Sequence, residues 1–208
     1  MQATIPLEPG EVYHLYNRGN NGENLFRSER DYRHFLELYA DHIQPIAETF
    51  AYCLMPNHFH LVVRIRHTRV ADLAGSETCE VKPGEVTPKR ASQAFSNLFN
   101  AYGKFFNRHH ARTGKLFEER FHRIHVQTES YFMQLVAYVH LNPQTHGFVD
   151  DFRVWLWSSY AAFLSDKPTK LNKDEVLSWF GGLDRFKRFH TDAINERIFR
   201  AMRNEDFD

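Results

Sequence analysis

The period of the hydrophobic pattern changes along the chain, and the changes mark out elements. Residues 11–18 are β-formers with imperfect alternation and predict a first strand, which Gly19-Asn20-Asn21-Gly22 breaks. Tyr32, Phe35, Leu36, Tyr39 and Ile43 recur at helical spacing, with Ser28 as N-cap and Pro45 beyond the end. Residues 49–54 predict a second strand. Pro56-Asn57 is a turn dipeptide, and alternation follows it: Phe59, Leu61, Val63 and Ile65 on one face of a third strand, His58, His60, Val62 and Arg64 on the other. Residues 68–90 show no period and several helix breakers, so this segment is expected to be mobile or loosely packed. Phe95, Leu98, Phe99, Tyr102 and Phe106 form the stripe of a second helix, and residues 108–115 make a basic turn. Residues 116–126 predict a fourth strand. A third helix is expected over 129–141, capped by Thr128 and stopped by Pro143 and Gly147. Its apolar face is Phe132, Leu135, Val136 and Val139; Tyr131, Gln134, Tyr138 and Asn142 cluster beside it. Residues 155–160 are an aromatic docking segment, and the chain from about 166 onward is one or two polar helices.

The order β-α-β-β-α-β predicts an α+β fold, a ferredoxin-like sandwich with an antiparallel sheet and two helices on one face. One domain over 1–165 and a helical C-terminal extension over 166–208 are expected. The apolar side of the third strand would face the two sandwich helices. His58 and His60 would then lie on the other face, which the helix carrying Tyr138 is free to cover. Their backbones are roughly 7 Å apart by the strand rise. Two neutral imidazoles so spaced suit one divalent ion. Two hydrogen-bonded histidines on a half-exposed sheet are the plain alternative.

Composition adds limits. The 208 residues suffice for one domain with an appendage, and the formal net charge of zero gives no argument for nucleic acid and none against a local basic patch. Two cysteines, Cys53 and Cys79, make no disulfide framework, which fits a reducing cytosol. No stretch approaches a membrane span, and no leader is recognised, so a soluble cytoplasmic protein is expected.

The chemistry follows from three groups. A tyrosine hydroxyl is a poor nucleophile near neutrality, and it becomes useful when a metal polarises the phosphate it attacks. Tyr138, taken as exposed on its helix, and the two strand histidines make a coherent set. Asn142 is one helical turn after Tyr138 and is a candidate third ligand. Tyr138 as a core residue, Asn142 as a helix terminator and the basic turn as solvated surface are the alternatives. Tyr131, two turns before Tyr138 on the same sector, is the rival nucleophile.

The sequence resembles the single-tyrosine HUH transposases, particularly the branch associated with repetitive extragenic palindromes (REPs). The resemblance rests on Tyr16 to Asn21, Tyr52 to Leu61, Arg112 to Phe117 with Arg120-Phe121, and Tyr138 to Pro143 with Trp157 to Tyr160, in the family's order over roughly residues 10–160. It implies that Tyr138 is the nucleophile, that His58 and His60 hold Mg²⁺ or Mn²⁺, and that Asn142 takes the third-ligand position, where related enzymes often have Gln. It also implies nicking of single-stranded or hairpin DNA with REP-like palindromes, a 5′-phosphotyrosine intermediate, and a monomer or homodimer. Arg18, Lys104, Arg108, Arg112, Arg120 and Arg123 are the candidate DNA contacts. Two other readings stay open: a metal phosphodiesterase that uses water, and a domesticated binder of structured DNA or RNA that no longer cuts.

Overall fold

A computed structural model describes residues 5–67 and 85–195. Four strands, β1 (Val12–Arg18), β2 (Ala47–Leu54), β3 (His58–Ile65) and β4 (His122–His125), form one antiparallel sheet in the order β2-β3-β1-β4. Helices α1 (Glu29–His42) and α2 (Pro88–His109) cover one face, as a ferredoxin-like sandwich requires. Tyr13, Leu15, Phe59, Leu61, Val63 and Ile65 point into that layer and meet Phe35, Phe95, Leu98 and Tyr102 from the helices. The sequence alternation is thus the inside and outside of β1 and β3.

Local signals set the element ends. Asp31 closes a capping box at the start of α1, accepting from the Arg27 and Ser28 amides at 2.9 and 2.8 Å. Thr87 caps α2 and Thr128 caps the third helix, each accepting from the amide three residues on. The aromatic docking segment pairs with β2: the Leu54 amide donates to the Trp157 carbonyl at 2.9 Å, and Trp157 stacks on Tyr32 with centroids 4.5 Å apart.

The second layer lies on the opposite face. Helix α3 (Glu129–Thr145) crosses it, and α4 (Tyr160–Leu164), α5 (Lys173–Phe180) and α6 (Leu183–Asn195) pack around α3. Phe50, Val62, Phe132, Val136, Phe163 and Phe186 belong to one buried cluster there. Arg64 on β3 also reaches Glu175 on α5 at 2.7 Å.

Several expectations change. Helix α3 does not stop at Pro143, which lies inside it. Proline cannot donate to the carbonyl four residues back, yet the last turn is closed by other donors: Thr145 Oγ1 to the Leu141 carbonyl at 3.1 Å and the His146 amide to Asn142 at 2.9 Å. The fourth strand is only His122–His125. With Tyr16 opposite His122, continuing the register would set Glu119 opposite Gly19; Phe117 is there instead. The chain bulges over 118–121 because β1 turns away at Gly19, where a Cβ would lie 1.9 Å from the Glu23 carbonyl oxygen. Of the segment expected to be mobile, residues 68–84 lie outside the described residues. Its end is ordered, with Val86 buried and α2 beginning at Pro88.

Candidate functional site

The face of the sheet under α3 carries a row of rings. His14 and Tyr16 come from β1, His58 and His60 from β3, and the register sets Tyr16 opposite His60. Ring centroids lie 5.2 Å apart for His58 and His60, 5.1 Å for His14 and His60, and 4.5 Å for Tyr16 and His122. Tyr138 comes down from α3 and sets its ring edge-on to His60 at 5.6 Å and to His14 at 6.4 Å. His146, just past α3, closes the row beside His58 at 5.0 Å.

The two strand histidines share a pattern of support. His58 Nδ1 donates to Asn57 Oδ1 at 2.7 Å, and His60 Nδ1 pairs with His14 Nε2 at 2.9 Å. A partner on Nδ1 is the usual companion of an imidazole that binds metal through Nε2, because it fixes the tautomer and the ring plane. Burial keeps all three rings neutral. It lowers the His14 pKa to about 3. It lowers His58 to about 4, helped by the neighbouring His146 and Arg18 and opposed by the Asn142 amide. It drives His60 well below the ordinary range, with His14, His58 and His146 acting the same way. A neutral imidazole needs no deprotonation before it binds an ion.

Asn142 is fully buried, and neither its Oδ1 nor its Nδ2 makes a well-formed hydrogen bond among the described residues, although its side chain acts on the His58 ring as a weak partner. A buried amide left so costs about 1–3 kcal/mol. With the Asn142 amide acting on His58, two imidazole nitrogens and one amide oxygen are a donor set that suits a divalent ion.

A second group could hold an ion: ligand atoms of Asp31, His109 and His110 lie within 4.8 Å of one another. The Asp31 carboxylate is already engaged there, by the amides of Arg27 and Ser28, by Ser28 Oγ at 3.0 Å and by His110 Nε2 at 2.9 Å. Burial opposes its ionisation, but His110 and these donors hold its pKa below the carboxylate norm. That group locks the start of α1 to the end of α2.

Tyr138 was expected to be exposed and is not, with only 2 % of its surface accessible. Tyr131 is half-buried at the edge of the apolar cluster. The six basic residues separate into two sets. Arg112 pairs with Glu23 and donates to Asn107 Oδ1 and to the Gly114 and Lys115 carbonyls, so its guanidinium builds the turn. Arg123 donates to the Ile5 carbonyl and Ser92 Oγ, both at 3.0 Å, and lies over Phe121. Neither is presented to a partner. Arg18, Lys104, Arg108 and Arg120 are exposed. Lys104, Lys115 and Arg120 line, together with Glu118, Glu119 and Phe117, a groove of about 690 Å³ between α2 and residues 114–121. Arg18 pairs with Glu118 at 2.6 Å and is close enough for its charge to act on His58.

His14 and His146 are the site residues that sequence reasoning missed. His14 alternates with Leu15 on β1, and the predicted topology puts β1 beside β3, so the signal for it was present. For His146 there was none, because it depends on α3 running past Pro143.

With this geometry in view, the comparison with solved structures is informative. The chain superposes on a structure described as a REP-associated tyrosine transposase bound to a REP hairpin, with a TM-score of 0.52 and 17 % identity, over 81 % of this chain and 87 % of that one. The two share a fold. No protein-family model and no curated protein matches the sequence. Among the described residues, no helix is long and apolar enough to cross a membrane.

Proposed function

We propose that the chain is a metal-dependent endonuclease and strand transferase for single-stranded DNA, a cytoplasmic enzyme that acts beside hairpins. The observation that carries this reading is the edge-on contact of Tyr138 with His60, on the face where His58, His60 and Asn142 meet. The shared fold with a hairpin-bound tyrosine transposase supports it.

In this reading Tyr138 Oη gives up its proton to solvent and attacks a phosphorus of the DNA. The bond from phosphorus to the 3′ oxygen breaks, the tyrosine keeps the 5′ phosphate, and the freed 3′ oxygen takes up a proton. His58, His60 and Asn142 would hold a Mg²⁺ or Mn²⁺ ion, which when bound supplies charge stabilisation for the transferring phosphoryl group. His14 holds the His60 ring in its plane, and Asn57 does the same for His58. Arg18 exchanges Glu118 for a DNA phosphate, since a guanidinium recognises either oxyanion. The groove with Lys104 and Arg120 receives the duplex or its flank, with Arg108 nearby on α2. Tyr138 is covered in the free protein, so the strand must enter from the His58–His146 end, where His146 is exposed.

That same burial favours a second reading, in which Tyr138 is structural and water attacks. One experiment separates them. The chain is incubated with Mn²⁺ and hairpin oligonucleotides whose single-stranded flanks are randomised, and the products are run on a denaturing gel. A protein–DNA adduct, lost in Tyr138→Phe and kept in Tyr131→Phe, is the expected result. Cleavage without an adduct would make it a phosphodiesterase; hairpin binding without cleavage would make it a binding protein. An adduct kept in Tyr138→Phe and lost in Tyr131→Phe would move the role to Tyr131.

A further inference from the structure

Behind the candidate site runs a second polar chain, which the chemistry above does not use. It begins at His190 on α6, whose Nδ1 donates to the Phe186 carbonyl at 2.8 Å. A carbonyl only accepts, so the His190 proton is on Nδ1 and Nε2 must accept. The partner of Nε2 is His140 Nδ1 at 2.8 Å, which therefore donates. That leaves His140 Nε2 to accept from Ser159 Oγ at 2.7 Å. Ser159 Oγ in turn accepts from the Tyr52 amide at 2.9 Å. One carbonyl thus orients the ring protons from α6 through α3, and the Ser159 hydroxyl meets His140 at 2.7 Å in preference to the Tyr52 carbonyl at 3.2 Å.

The order serine–histidine–histidine imitates a nucleophile, a base and its orienting group. It is not one. Ser159, His140 and His190 have no accessible surface, and Ser159 Oγ is committed to the backbone of β2. What the chain does is fix α3. His140 lies on α3 between Tyr138 and Asn142, and it is the one histidine of that helix. Helix α3 needs outside support there, since Pro143 removes an internal hydrogen bond from the same turn. Apolar contacts alone allow a helix to slide or rotate slightly; a directional, buried hydrogen-bond chain does not.

We propose that His190 and Ser159 are positioning residues, which act through His140 to hold Tyr138 and Asn142 in register over His58 and His60. Helix α6 is then part of the working site and not an appendage to it. The inference rests on the reading of Tyr138 as nucleophile, and its experiment keeps the two apart.

The full chain is compared with His190→Leu, His190→Gln and Ser159→Ala. Leucine fills the space without accepting a hydrogen bond, whereas the amide oxygen of a glutamine in the same place can accept from His140 Nδ1. Three quantities are measured: the single-turnover rate of adduct formation with the randomised hairpin oligonucleotides and Mn²⁺, the Kd for the same DNA, and amide hydrogen exchange in α3. His190→Leu and Ser159→Ala should slow adduct formation tenfold or more, leave Kd within twofold, and speed exchange around residues 138–142. His190→Gln should restore rate and exchange towards the wild type. Should His190→Leu fail to fold, Ser159→Ala carries the test alone, because it removes only the hydroxyl. Wild-type rates and exchange in the Leu and Ala variants overturn the proposal. So does a defect that His190→Gln shares equally, since packing rather than the hydrogen bond would then be at fault. If the wild type itself gives no adduct, the nucleophile reading falls, and hydrogen exchange alone decides whether this chain fixes α3.

Discussion

The two faces of one sheet are built from neighbouring residues to opposite ends. On the face under α1 and α2, Leu15, Phe59, Leu61 and Val63 pack against phenylalanines in a layer of rings and aliphatic chains. On the face under α3, the residues one step along the same strands are His14, Tyr16, His58 and His60. Both faces are largely buried. Both bury some polar atoms, Asn17 and Arg123 Nε on the first, but only the second gathers buried imidazoles, His14 and His60, beside a buried amide, Asn142. Unpartnered buried atoms alone do not tell the faces apart, since Arg123 Nε lies on the first; the row of neutral imidazoles does. The difference teaches where stability ends and chemistry begins in this fold, at the resolution of single residues on β3.

The sharpest way to break that comparison uses two adjacent residues. Phe59→Ala should cost about 3–5 kcal/mol of folding stability, because it opens a cavity between the sheet and both sandwich helices. His60→Ala should cost clearly less stability and lower adduct formation by 100-fold or more. Urea unfolding and the denaturing gel measure the two. If both substitutions prove equally destabilising and equally mild on adduct formation, the division of labour between the faces is wrong.

A smaller effect has the opposite sign. Asn142→Leu removes a buried amide that makes no well-formed hydrogen bond among the described residues, and apolar replacement of similar shape is close to neutral or stabilising in such places. The variant should keep or raise Tm by a few degrees while its requirement for Mn²⁺ rises tenfold or more. Differential scanning calorimetry and a Mn²⁺ titration of adduct formation check this. A clear drop in Tm would mean that Asn142 is a structural residue. Mn²⁺ should also support cleavage at lower concentration than Mg²⁺, since imidazole ligands suit it better.

How far the sequence could be read follows from the same alternation. Period two after Pro56-Asn57 was enough to put Phe59 and His60 on opposite faces, and the element order was enough for the sheet. The helix carrying Tyr138 could be placed over the histidines because a chain leaving β4 has one free face to cover. Tertiary detail was not legible where a local rule met a tertiary partner. Pro143 is a terminator by propensity, but donors from Thr145 and His146 close the turn around it. Arg112 and Arg123 look like any surface arginine in sequence. The Glu23 carboxylate that holds Arg112 and the Ile5 carbonyl that holds Arg123 come from segments that only folding brings near. The docking of α5 and α6 on α3 was hidden for the same reason, since His140 and His190 are fifty positions apart.

The smallest effect tests the polar face by acid. Burial lowers the His190 pKa from 6.5 to about 4, with its bond to the Phe186 carbonyl acting in the other direction. A base whose folded pKa lies below its unfolded value destabilises the fold as it is forced to charge. Above about pH 6.5 this group has no effect. Between there and about 4, the unfolded chain binds a proton that the folded chain does not, so stability falls as pH falls. Below about 4 both states are protonated and the loss stops growing. One group contributes at most one proton to the slope, about 1.4 kcal/mol per pH unit. The buried histidines away from this chain, His14 and His60, add slopes that cancel when wild type is compared with His190→Leu; His140, whose pKa His190 helps to lower, loses part of its own slope with it, which adds to the difference. Urea unfolding of both proteins at pH 7, 6 and 5 should therefore give a shallower pH dependence for the variant. The aromatic face supplies no comparable buried neutral histidine among the described residues, so acid should loosen α3 before α1 and α2, which hydrogen exchange at pH 5 would resolve. Equal slopes in the two proteins would mean that His190 charges freely in the folded state, and that the hydrogen-bond chain holding α3 is open to solvent.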